Sequence, residues 1–294
     1  MARRRLPFGW TPSNGLDRLR SPQLSRWCRE GEGGRRMAED TNLVPAVRRS
    51  SAILSALAEA QGRALSVSEL ARRLALPKSS TANLCIALEA ERLLTRVDAG
   101  YLLGRRLVEL GGAYLSTVDQ VQEFYSACRR QPHLASQTAR VAVLVGTDVL
   151  YLARYDGTQP IRLTANIGDR FPAHCTATGK ALLAQLDPAA LEERYRGQRQ
   201  LAALTDRSIT SLSALQRELD RVRGQGYALD EEETTPGVTC IAVSVPGFRT
   251  DSDPFAISVT SMTSQFDDTL REHLLEEIRT VAGMLANPMV GIGA

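Results

Sequence analysis

A chain of 294 residues is long enough for two domains with separate cores. Its hydrophobic and charged fractions are ordinary for a soluble protein, and no apolar run approaches the roughly 18 residues that span a bilayer. Five scattered cysteines (Cys28, Cys85, Cys128, Cys175, Cys240) without a CxxC pair argue against a disulfide framework and for reduced thiols in a cytoplasm. The net charge of +3 is unevenly divided. Residues 1–36 hold nine arginines against three acids, residues 37–118 ten basic against eight acidic side chains, and residues 119–294 seventeen against twenty-two. Only Lys78 and Lys180 are lysines.

Residues 1–36 lack periodicity and are rich in Arg, Gly and Pro. Their twin arginines are not followed by an apolar stretch, which excludes an export signal. They read as a basic arm or, preferably, as an over-extended start ahead of Met37. Residues 42–104 then form one module. A helix from Val44 to Ala60 carries Ala46, Ile53, Leu54, Leu57 and Ala58 as its apolar face. Ser66 caps a second helix and Glu69 completes a capping box, with Val67, Leu70, Ala71 and Leu74 at helical spacing. Leu76-Pro77 ends it, with Pro77 suited to the first position of the next helix. The third helix buries Thr81, Leu84, Cys85 and Leu88 and turns Lys78, Ser79, Ser80, Ala82 and Asn83 outward. Leu93 to Val97, the turn Asp98-Ala99-Gly100, and Tyr101-Leu102-Leu103 make a hairpin. A helical hairpin with a merely solvated face is the plain alternative, but helix, turn, helix and hairpin together are the outline of a winged helix-turn-helix, whose exposed helix start suits a major groove. With a balance of +2 over residues 37–118 the module is weakly basic for nucleic acid, so a homodimer or homotetramer reading paired half-sites on double-stranded DNA is expected.

Residues 105–120 follow as a linker helix with Leu107, Leu110 and Leu115 inward, and a further helix runs from Val118 to Thr138. Residues 121–288 form a second domain. Strands are expected at Val141–Val145, Val149–Arg154, Arg162–Ala165, Val238–Val245 and Phe255–Thr260, and helices at Gly179–Gln185, Ser213–Gln225 (closed by Gly226) and Thr269–Leu285. The sum is an antiparallel sheet with packed helices, an α+β class.

Two segments of that domain invite chemistry. GDRFPAHCTATGKALL, from Gly168 to Leu183, lacks the Gly and Ser/Thr of a phosphate loop, having His174 and Ala181 in those places. His174 and Cys175 are neighbours without an orienting third group, a poor nucleophile arrangement. Three histidines without ligand spacing give no metal site. What remains is the helix start at Thr176, Ala177, Thr178 and Gly179, whose N–H groups suit a small carboxylate. In the second segment, GQGYALDEEETTPGVTCIA, the four acids from Asp230 to Glu233 read first as a solvated turn, in which Asp230 can still face inward while Glu231 to Glu233 stay wet, and Cys240 begins a strand as packing.

LPKSST, YLLG, GDRFPAHCTATGKALLA, GYALDEEE and GVTCIAVSVPG, in this order and spacing, resemble the isocitrate lyase regulator (IclR) family of bacterial transcription factors from about Val44 to Leu285. The resemblance implies a winged helix-turn-helix, a linker helix and a GAF-like effector domain, in dimers or dimers of dimers answering to small organic or aromatic acids. It places Lys78, Ser79, Ser80 and Asn83 against DNA, with the wing from Arg96 to Tyr101 over the backbone. It lines the effector pocket with Leu163, Ala177, Thr178, Asp230, Val238, Cys240, Ser258 and Thr260, to which the helix-start reading adds Gly179. Asp230 beside a bound carboxylate would be repulsive unless it accepts from a ligand hydroxyl, so a hydroxy acid is expected. Two positions depart from the family: Asn83 replaces a common Arg, moving base preference from guanine toward adenine, and Arg92 replaces the usual helix-ending Gly, so that the helix is expected to run on or end differently. No catalytic residue, cofactor or metal is expected. The alternatives are a small-acid-processing enzyme using Cys175 or Cys240, and a constitutive DNA-binding protein whose second domain only dimerises.

Overall fold

The computed structural model describes residues 44–116, 119–161, 165–198, 200–247 and 253–286. The arm of residues 1–36, Leu163, and all but Ala165 of the strand expected at Arg162–Ala165 lie outside them. Two compact units divide between Leu107 and Val108.

In the first unit, α1 (Pro45–Glu59) buries Ile53, Ala56 and Leu57. The expected Ala46 and Ala58 are exposed; at 100° per residue Ala58 falls on the far side from Ile53, whereas Ala56 shares its face. α2 (Val67–Leu74) starts on a complete capping box: Glu69 N–H donates to the Ser66 hydroxyl at 3.2 Å, and Ser66 N–H donates to Glu69 Oε2 at 3.0 Å. α3 (Lys78–Ala90) begins one residue later than expected. Pro77 is extended at ψ 136° and serves as N-cap, its carbonyl accepting from Thr81 N–H at 3.0 Å.

The end of α3 overturns the expectation drawn from Arg92. Arg92 adopts a left-handed φ of 59°. Arg92 N–H donates to the Glu89 carbonyl and Leu93 N–H to the Leu88 carbonyl, both at 2.9 Å. This is the paired closure that a glycine usually makes, so the helix stops on time and bears the strain. β1 (Leu94–Val97) and β2 (Gly100–Leu103) form the wing, Arg96 opposite Tyr101. Gly104 is required beside it, because a Cβ there would sit 2.1 Å from the Arg92 carbonyl oxygen.

α4 (Arg106–Ser116) spans the division between the units. Leu107 is half-buried, but Leu110 is 48% exposed and is not inward; the Leu115 side chain is outside the described residues. Spacing shows which residues share a face, not whether anything covers it. α5 (Asp119–Arg130) ends eight residues before the expected Thr138. Pro132 cannot continue a helix, and after a short turn at Leu134–Ser136 the chain enters a strand at Thr138.

The second unit is built on one antiparallel sheet in the order β5-β4-β3-β8-β7-β6. Its strands are β3 (Thr138–Val145), β4 (Asp148–Asp156), β5 (Arg170–Pro172), β6 (Ala228–Glu231), β7 (Val238–Val245) and β8 (Phe255–Met262). Its remaining helices are α6 (Ala177–Leu183), α7 (Pro188–Arg194), α8 (Leu212–Gln225) and α9 (Asp268–Ala286). Period-two alternation separates two faces. Val141, Ile241, Val243, Ile257 and Val259 pack with Phe124 of α5 and Ile278 and Val281 of α9. Ala142, Ala242 and Ala256 face the opposite layer, with Ala177 and Ala181 of α6 and Leu215 and Leu219 of α8. These small sheet residues let the wholly buried α6 lie close. The fold is α+β with an N-terminal winged helix-turn-helix, as the sequence led one to expect. Among the described residues no helix is long and apolar enough to cross a membrane.

Candidate functional site

A cavity of about 30 Å³ lies between α6 and the inner face of the sheet. The same alternation that buries Val141 and Ile257 on one face turns Arg140, Cys240 and Ser258 onto this one. Arg140 stands directly opposite Ser258, and Cys240 opposite both Thr260 and Asp230. A bulge at Leu152 adds one residue to β4, so that Tyr151 pairs with Ala142 and Ala153 with Val141. Tyr151 and Ala153, normally on one side, thus face opposite ways, and the Tyr151 ring enters the cavity wall with Phe171 edge-on at 6.1 Å.

Arg140 is 3% exposed. Its Nε donates to the Ala165 carbonyl at 3.1 Å and its Nη1 to the Thr260 hydroxyl at 2.6 Å, both neutral partners. Nη2 is buried without a hydrogen-bond partner. The guanidinium carbon stands 5.9 Å from the Tyr151 ring centre. Burial lowers the pKa of Arg140 from its ordinary value, yet a guanidinium stays charged.

Asp230 faces inward as expected, and it holds a turn. Its Oδ1 accepts from the N–H groups of Glu233 and Thr234 at 2.8 and 3.2 Å, and its Oδ2 accepts from the Thr234 hydroxyl at 2.6 Å. Burial raises its pKa to about 6. The acids after it are not all wet. Glu231 is exposed, but Glu232 takes a left-handed φ of 65° that reverses the chain and returns Glu233 to the interior, 8% exposed. There it meets the fully buried Lys180, which also pairs with Glu218 of α8 at 3.1 Å. Burial outweighs Lys180 and pushes Glu233 up to about 7.

The expected helix-start site is altered. The Thr176 hydroxyl accepts from Gly179 N–H at 3.1 Å, occupying one of the donors a carboxylate would use. Gly179 faces Ala173, whose carbonyl would lie 2.2 Å from a Cβ, and not the cavity. Ala177, Thr178, Asp230, Val238, Cys240 and Ser258 do line it. Thr260 stands behind the wall, bracing Arg140 and lying 3.3 Å from Cys240 Sγ; Leu163 is outside the described residues. Arg140, Tyr151, Phe171 and Thr234 are lining residues that sequence reasoning missed. The signal for Arg140 was a charged residue at an alternating position just ahead of Val141, overlooked because the strand was started there.

His174 Nε2 lies 2.8 Å from the Ala202 carbonyl and Cys175 Sγ points to the Pro172 carbonyl, so each is engaged away from the other. Burial raises the Cys175 thiol well above its usual value and pushes Cys240 to about 12. Both are protonated at neutral pH and weak nucleophiles. In the first unit, Lys78, Ser79 and Asn83 are exposed along the start of α3, Ser80 is half-buried, and Arg96 is exposed on the wing.

Residues 46–98 match the IclR helix-turn-helix domain, and residues 112–287 match the bacterial transcriptional regulator IclR C-terminal domain. The chain belongs to the IclR family. This IclR-family regulator is 32% identical over 242 residues to the HTH-type transcriptional regulator BhcR of Paracoccus denitrificans, covering 81% of this chain and 85% of that one. A crystal structure of an IclR transcriptional regulator from Alicyclobacillus acidocaldarius shares its fold at a TM-score of 0.73 and 24% identity, over 83% of this chain and 98% of that one. So does an IclR homolog from Microbacterium hydrocarbonoxydans complexed with 4-hydroxybenzoate, at 0.69 and 24%, over 82% and 98%. The regulator thus combines a DNA-binding helix-turn-helix with a C-terminal effector domain.

Proposed function

We propose that the chain is a cytoplasmic, non-enzymatic regulator that binds operator DNA through α3 and the wing, and that a small organic acid in the second unit's cavity controls that binding. Lys78 meets a phosphate, Ser79, Ser80 and Asn83 enter the major groove with Asn83 suited to adenine, and Arg96 lies over the backbone. The supporting observation for ligand control is a cavity wall carrying a buried cation, a carboxylate and an aromatic ring in a domain where the Cys175 and Cys240 thiols are too basic to act as nucleophiles.

Small-molecule sites commonly measure ~300 Å³ or more, whereas this cavity of about 30 Å³ holds a water or two. An effector must therefore spread the wall. In this reading the turn from Asp230 to Thr234 gives way, at the cost of the bonds Asp230 makes within it and of the pairing of Glu233 with Lys180. A ligand that fits only the spread form has the differential affinity that a shift between DNA-competent and incompetent states requires. Footprinting on the DNA upstream of the protein's own coding region, with and without 4-hydroxybenzoate and other organic acids, tests this. The expected result is a protected operator whose half-saturation moves about tenfold with at least one acid. Protection indifferent to every acid would remove ligand control and leave a constitutive DNA-binding protein.

A further inference from the structure

Arg140 presents a problem that the fold alone does not solve. A buried guanidinium carries a large desolvation cost unless an anion faces it, yet among the described residues no carboxylate pairs with it and Nη2 has no acceptor. The side chain is held firmly for an unpartnered group. Thr260 and the Ala165 carbonyl fix two of its nitrogens, and Tyr151 lies beside the plane. Both N–H groups of Nη2 are left without an acceptor, and Arg140 is one of the residues that form the cavity wall.

We propose that Arg140 is the anion receptor of the cavity and that the ligand is a monocarboxylate bearing a hydroxyl at its other end, its carboxylate taking the free N–H donors of Nη2 and its apolar body lying against Tyr151, Phe171 and Val238. This deepens the reading of the cavity as an effector site and rests on it. It moves the carboxylate from the start of α6, where Thr176 already takes the Gly179 N–H. It also limits the ligand to one negative charge. Among the described residues the only other charged part of the wall is Asp230, whose Oδ1 is filled by two N–H donors while Oδ2 accepts one hydroxyl and retains a lone pair. A ligand hydroxyl can donate there; a second carboxylate would meet the like charge of the buried Asp230.

The test is calorimetric titration of the full chain with propionate, benzoate and 4-hydroxybenzoate, each against its uncharged amide, repeated on Arg140→Met. The wild type should bind at least one acid about tenfold to a hundredfold more tightly than its amide, the range of a charge-assisted hydrogen bond. Arg140→Met should lose that preference while melting no lower than the wild type without ligand, since it removes an unpaired buried charge. Wild-type binding that ignores the change from acid to amide, or an acid preference that survives in Arg140→Met, would overturn the assignment to Arg140 and leave the effector cavity standing. Wild type that binds none of the acids overturns both. If the methionine variant does not fold, Arg140→Gln is titrated in its place and read in the same way.

Discussion

Glu233 shows how far one side chain can depart from the run it belongs to. Within Asp230 to Glu233 each acid meets a different environment, because the left-handed Glu232 turns the chain between them. Burial holds Glu233 at about 7 against an ordinary 4.5, and Asp230 at about 6 against 3.8. The sign follows directly: between those values the folded chain keeps protons that the unfolded chain releases, so both groups make stability fall as pH rises through that window. Urea unfolding at several pH values from about 4 to 8 should therefore show wild type losing stability relative to Glu233→Gln as pH climbs. A difference between the two that is flat with pH would refute the buried, proton-retaining Glu233. No feature of DEEE foretold this; a four-acid run looks alike at every position until a backbone reversal separates them.

At the level of elements, caps and stripes were legible and closures were less so. The capping box at Ser66 and the stripe of α2 need only residues within one turn of each other, and both formed as expected. Arg92 shows the opposite case. Its rank as a poor left-handed residue suggested that α3 would run on or end differently, but the packing of Leu88 and Leu94 in the core and the tight approach of Gly104 leave the chain one exit. The strain is consequently stored in the native state. Arg92→Gly should raise stability by about 1 kcal/mol in denaturant unfolding of the first unit's transition; an unchanged or lower midpoint would mean that Arg92 is not strained. β5, β6 and α7 escaped notice because three- and four-residue strands and a seven-residue helix are too short to establish a period.

For the whole molecule, charge is the quantity to follow. The chain is +3 overall, but the basic excess lies ahead of residue 119. A reader with few cations depends heavily on each one. Lys78→Ala should weaken operator binding and reduce the salt dependence of log K by about one unit per DNA-binding unit engaged, without changing which sequence is preferred. A variant whose salt slope matched the wild type would take Lys78 off the phosphate. Such a slope, measured against protein concentration, also counts how many copies of the chain engage the operator.

Sequence by itself determined the two-part α+β plan, the winged module and the polar start of α3. These rest on caps and on periods of 3.6 and 2, which operate between residues close in the chain. Tertiary structure decided the cavity. Arg140, Tyr151, Asp230 and Ser258 come from four strands, and their meeting depends on a register and on one extra residue in β4. Whether a charge on a strand is solvated or buried depends on what covers that face, and here α6 covers it. That covering turns an arginine in an ordinary strand into a buried cation with a donor to spare.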